Sequence, residues 1–107
     1  MPPSDVVLVL TTVPDDQRAE MLARTLVEER LAACVSLQSP MISIYHWNGT
    51  VERSRERQLI IKTVRARVPA LTARLGDLHT YELPELLVID VEGGSDDYLR
   101  WVRDSVM

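Results

Sequence analysis

Phenylalanine is missing from this 107-residue sequence, and two Trp and three Tyr supply all of its large aromatic surface. That scarcity argues against an RNA-binding sheet, which stacks bases on a platform of rings. Basic charge is also in short supply. Twelve Lys and Arg face 16 Asp and Glu, a formal net charge of −4, whereas a nucleic-acid partner requires a basic footprint. Cys34 is the single cysteine, so an intramolecular disulfide framework is excluded and a reducing cytoplasm is the expected compartment. The longest aliphatic run, Val6 to Leu10, is far too short to span a bilayer. Met1-Pro2-Pro3-Ser4-Asp5 has neither the basic start nor the apolar middle of a secretory signal, so no membrane partner is expected. The sequence also lacks G-x-S-x-G, H-E-x-x-H and P-loop patterns, and it does not read as an enzyme.

What is present suits one α+β domain over residues 1–107, with 46% hydrophobic residues. Val6-Val7-Leu8-Val9-Leu10 reads as a strand buried on both faces. Pro14, with Asp15 and Asp16, suits the start of a helix. That helix carries Ala19, Leu22, Ala23, Leu26, Val27 and Leu31 on one face. Ala33 to Leu37 begins a second strand, which Pro40 interrupts because proline cannot donate to a ladder. Met41 to Trp47 resumes it, Asn48-Gly49 marks a type I′ turn, and Thr50 to Val64 forms the return arm. Val68, Leu71, Leu75 and Leu78 predict a second helix, with Pro69 in its first turn and Leu83-Pro84 ruling out continuation. Leu86 to Val91 reads as another buried strand. Ser95 or Asp96 caps a last helix over 97–106.

The order β-α-β-β-α-β plus a terminal helix is the ferredoxin-like, split-βαβ pattern. It predicts an antiparallel sheet with helices on one face and a second face that needs cover. The hairpin arms are about 15 residues each, or roughly 50 Å at ~3.3 Å per residue. A domain of this length has a radius of gyration near ~13 Å, so the hairpin should overhang its own core. Met41, Ser43, Tyr45 and Trp47 share one face of the first arm, and Ile42, Ile44 and His46 share the other. Bulk on both faces of an overhanging ribbon predicts self-association.

Thr11-Thr12-Val13-Pro14-Asp15 and Leu26-Val27-Glu28-Glu29-Arg30-Leu31-Ala32-Ala33-Cys34-Val35 resemble the N-terminal half of the CutA divalent-cation-tolerance family. Ser43-Ile44-Tyr45-His46-Trp47-Asn48-Gly49 resembles the family's hairpin tip, and Ile61-Lys62-Thr63 its return strand. His79-Thr80-Tyr81-Glu82-Leu83-Pro84-Glu85 and Tyr98-Leu99-Arg100-Trp101 resemble two further family segments. The resemblance implies a ferredoxin-like homotrimer, similar in architecture to PII signal proteins and linked to divalent metals, copper above all. Two departures stand out. Thr11 takes the place of a copper-binding cysteine found in some members, and Leu78-His79 takes the place of two adjacent histidines.

His79 and, behind it, Cys34 are therefore the candidate ligands for copper or another divalent cation. No cofactor is required. For His79 the structural alternative is an imidazolium complementing the end of a helix. For Cys34 it is a small buried hydrophobe. Lys62, Tyr81, Glu82 and Glu85 are candidates for a ligand cleft, and Lys62 is expected to pair with Glu82 or Glu85. Tyr45, Trp47 and Trp101 are candidates for the trimer interface. The charged run Glu52 to Arg57 reads as solvated. Two other functions fit the same architecture: a PII-like sensor of a small anionic molecule, and a trimeric scaffold for a partner protein.

Overall fold

Alternation within the strands decides what each side of the sheet meets. In β1 (Val6–Pro14) and β4 (Thr50–Val64), Val7, Val9, Val13, Leu59 and Ile61 point to one side and are buried. There they meet Leu22 and Leu26 of α1 (Arg18–Glu28) and Leu71 and Leu75 of α2 (Val68–Leu78). Each such side chain contributes about 1.5–3 kcal/mol of transfer free energy. The computed structural model describes residues 4–107.

β4 is the spine. It pairs antiparallel with β1 from Val6↔Val64 to Pro14↔Glu56. On its other edge it pairs first with β3 (Met41–Trp47) and then with β2 (Cys34–Leu37). β5 (Leu87–Asp90) closes the far side of β1, giving the order β2-β4-β1-β5 with β3 also on β4. Counting β2 and β3 as one interrupted strand, this is the ferredoxin-like order. Pro40 lies in the gap between them, as its missing N–H requires. Asn48 and Gly49 turn the hairpin with φ of 49° and 80°. The overhang stretches the molecule to 46 × 27 × 24 Å.

Three expectations change. Pro14 ends β1 rather than opening a helix. Its carbonyl accepts from Asp16 N–H, and Asp16 Oδ1 accepts from Arg18 N–H at the start of α1. The strand at 87–90 is not buried in the single chain: Leu87, Val88 and Ile89 are 54%, 39% and 44% exposed. It occupies a sheet edge that no other strand pairs with among the described residues. The run 52–57 is not uniformly solvated either. Glu56 is 6% exposed because the loop after α2 folds over it.

The second face of the sheet has partial cover. α3 (Asp96–Ser105) starts at Ser95, whose hydroxyl accepts Tyr98 N–H. It packs Val102, with Val106 just beyond it, onto Val6 and Val64 at one end. Leu8, Leu10 and Ile60 further along are half-buried, beside exposed Leu87 and Ile89 on the edge.

Candidate functional site

The same second face forms a cleft toward the hairpin. β3 contributes Met41, Ser43, Tyr45 and Trp47, the side-chain set that alternation had grouped, together with His46 from the other set. β1 and β4 contribute Thr12, Glu56 and Gln58. The loop between α2 and β5 contributes residues 80–85 and closes the other wall. The enclosed volume is about 870 Å³.

Four hydrogen bonds hold that loop. His79 Nε2 lies 2.7 Å from the Thr12 carbonyl oxygen, and His79 Nδ1 accepts Tyr81 N–H at 3.1 Å. With Nδ1 accepting, the tautomer that fits both bonds carries its proton on Nε2 and donates to Thr12. The Tyr81 hydroxyl donates to Glu56 Oε2 at 2.8 Å, and Gln58 Nε2 donates to Glu85 Oε2 at 2.9 Å. Burial, followed by the Glu56 carboxylate, raises the Tyr81 phenol well above its ordinary pKa of 10.0.

The site residues expected from sequence divide accordingly. Tyr81, Glu82 and Glu85 line the cleft, as do Tyr45 and Trp47. Lys62 does not. It lies opposite Leu8 and Cys34, with Nζ 5.7 Å from the centre of the Tyr98 ring. The expected ion pair with Glu82 or Glu85 is therefore replaced by a cation–π contact, because strand register sets Lys62 six residue pairs along the ladder from Glu56, beside α3. Trp101 sits on α3, 46% exposed, its ring 5.4 Å from that of Tyr98. Glu56, inside the charged run of the return arm, and Gln58 just beyond it were missed. Their signal was parity, since even positions of β4 share the second face with Ile60.

Metal ligation can be tested on the donors themselves. In His79 the lone pair of Nδ1 is occupied by Tyr81 N–H and Nε2 donates to Thr12, so neither nitrogen is free. Cys34 is half-buried, with Sγ 3.9 Å from Ser36 Oγ. Thr11 is fully buried on the helix side, and its Oγ1 has no hydrogen-bond partner among the described residues. No group of three His, Cys, Asp or Glu side chains converges among the described residues. One chain alone does not fit a copper or zinc centre.

Known proteins match along nearly the whole chain. The family model described as CutA1 divalent ion tolerance protein matches residues 7–105. A divalent-cation tolerance protein CutA from Pectobacterium atrosepticum is 45% identical over 105 residues, covering 98% of this chain and 96% of that protein. The crystal structure of CutA from Xylella fastidiosa superposes with a TM-score of 0.94 at 43% identity, covering 97% of this chain and all of that one. The divalent cation tolerance protein of Thermus thermophilus gives 0.92 at 39% identity, with 95% and 99% coverage. A sheet of this order, with this hairpin and this loop, belongs with them: the chain is a member of the CutA divalent-cation-tolerance family.

Proposed function

We propose that this protein acts in divalent-cation tolerance as a homotrimer, and that a divalent cation, copper foremost, is held by donors from more than one subunit. One observation carries the assembly: Leu87, Val88 and Ile89 form a regular strand, yet all three are exposed on an open edge of the sheet. An edge of this kind is a template for pairing with another chain. Ile42 at 42%, Ile44 at 70% and Val51 at 68% exposure form a separate apolar set on the helix-side face of the overhanging hairpin, at the opposite edge of the sheet. Trp101 adds a large anchor on α3. Tyr45 and Trp47 line the cleft and meet the interface at its margin.

A shared metal site follows from single donors. Cys34 lies on the partly covered sheet face, where a symmetric neighbour would bring a second copy. The lone cysteine agrees with a cytoplasmic location. Light scattering at micromolar concentration tests the assembly, with three times the chain mass expected. A monomer overturns it. Calorimetry with copper and zinc tests the metal. Saturable heat that is lost in Cys34→Ser supports a shared site, whereas no heat at micromolar metal counts against it.

The cleft also favours a small-molecule role, but an anionic ligand meets the wrong charge. Its acidic wall residues are Glu56, Glu82 and Glu85, and among the described residues neither Lys nor Arg lines it.

A further inference from the structure

α1 ends in a motif that usually closes on glycine, and here it closes on arginine. Arg30 N–H donates to the Val27 carbonyl and Leu31 N–H to the Leu26 carbonyl, the two bonds of a Schellman cap. Arg30 takes the left-handed position of that cap, with φ of 59°. A side chain is strained there and glycine is not. The Arg30 guanidinium reaches the end of α3, where Nη1 donates to the Ser105 carbonyl at 3.3 Å. From the short 3-10 turn Arg65–Arg67, Arg67 Nε donates to the next carbonyl, that of Val106, at 2.8 Å. Two guanidiniums from distant parts of the chain thus meet on consecutive carbonyls. Neither forms an ion pair among the described residues. The acids around them are bonded to other arginines: Glu29 to Arg74, Asp5 to Arg103 and Asp90 to Arg65. Asp104 bonds neither Arg30 nor Arg67. A helix C-terminus offsets only about half a unit charge, so the pair keeps a positive surplus.

We propose that Arg30 and Arg67 clamp a small phosphate-type oxyanion at the end of α3, each guanidinium donating from the edge that the carbonyls leave unused. That edge is Nε with Nη2 in Arg30 and Nη1 with Nη2 in Arg67. Planar forks of this kind match the oxygens of a phosphate group in pairs. A dianion balances two guanidiniums, which a single carboxylate does not, and a metal cation is repelled by both. A long polyanion is opposed by the net charge of −4, which leaves inorganic phosphate or a phosphate monoester. Arg30 is exposed and Arg67 half-buried, so the clamp is entered from solvent without opening the fold. The strained residue acquires a reason: glycine would cap α1 as well and leave half of the clamp missing.

The clamp lies on neither the β5 edge nor the hairpin, and both of its arginines belong to one chain. Isothermal titration of the native protein with inorganic phosphate and with glycerol phosphate, at constant ionic strength, tests it. Saturable binding at millimolar concentration or below is expected, one ion per chain, with a raised urea midpoint in phosphate. Arg30→Gly suits the left-handed backbone and keeps the α1 cap. It should weaken binding by about tenfold or more, the loss of one charge-assisted contact. Arg67→Gln should do the same. The urea midpoints of both variants without phosphate report that the fold persists. Tighter binding of the ester than of the free ion assigns a phosphorylated small molecule, and equal binding assigns the phosphate group alone. No binding at high millimolar phosphate overturns the proposal. So does unchanged affinity in both variants, or an equal response to sodium chloride, which would mark screening of surface charge. Arginines that served only to cap α3 would give variants of lower stability and no phosphate binding by any of the proteins, and the proposal would fail. An acidic side chain of a second copy seated between Arg30 and Arg67 in the crystal structure of the assembly overturns it too.

Discussion

β1 and β5 are neighbours in one sheet, both rich in Val, Leu and Ile, and they meet opposite fates. Val7 and Val9 are fully buried, while their direct partners Asp90 and Val88 are exposed, Val88 at 39%. Composition cannot account for this. β1 has a strand on each edge, α1 and α2 over one face, and α3 over the end of the other, whereas among the described residues β5 has only β1 as a strand neighbour, with Arg65 paired to Asp90 at its end. Burial is a property of what surrounds a strand. The open apolar edge of β5 is the feature on which the proposed assembly rests.

The largest expected effect separates the two strand environments directly. Ile61→Ala, at a fully buried position on the helix side, should destabilise the chain by about 2–5 kcal/mol in urea unfolding. Ile89→Lys should instead leave the circular dichroism spectrum intact and shift mass in solution toward the monomer. Equal loss of stability from both would break the comparison. Next in size is Tyr81→Phe, which strips Glu56 of its one hydrogen bond and should cost about 1.5–3 kcal/mol. No change would mean that the loop on the open side is held by packing alone. Thr11→Val, which removes a buried hydroxyl without a partner, should stabilise by about 1 kcal/mol. A loss instead would mean that water reaches the helix-side core.

The smallest effect is visible only in alkali. The folded Tyr81 pKa is raised, so the folded chain keeps a proton that the unfolded chain releases from about pH 10.0 upward. Its contribution is therefore complete below that pH and is lost as pH climbs toward the raised value. A tyrosinate absorbance titration should show one phenol ionising later than the others, and Tyr81→Phe should remove that late step.

The fold could be read from sequence where a rule is local. Asn48-Gly49 located the turn, Thr50–Val64 appeared as one strand, and the spacing of Val68, Leu71, Leu75 and Leu78 bounded α2. Local rules failed where the outcome depended on distant partners. Pro14 has the chemistry of a helix start, but pairing with Glu56 keeps it in β1. Leu87-Val88-Ile89 has the composition of a core strand and lies on an edge. The candidate site followed the same division. Tyr81, Glu82 and Glu85 adjoin in sequence and were found together, with their cleft face. Glu56 looked like one more charge on a polar arm, since only the loop at 80–85 makes it buried. His79 was singled out as a candidate metal ligand; in the fold its ring bonds the Thr12 carbonyl and accepts Tyr81 N–H, contacts no local rule foretells.

The continuous β4 strand also bears on the order of events in folding. The β3–β4 ladder grows outward from a two-residue turn, pairing Trp47 with Thr50 and then His46 with Val51. The β1–β4 ladder must join residues as distant as Val6 and Val64. Closing a short loop costs little chain entropy and closing a long one costs more, so the hairpin is the faster element. Once zipped from its tip, β4 offers β1 a preformed edge in fixed register. The segment that overhangs the finished protein is thus also the template on which the rest of its sheet is laid down.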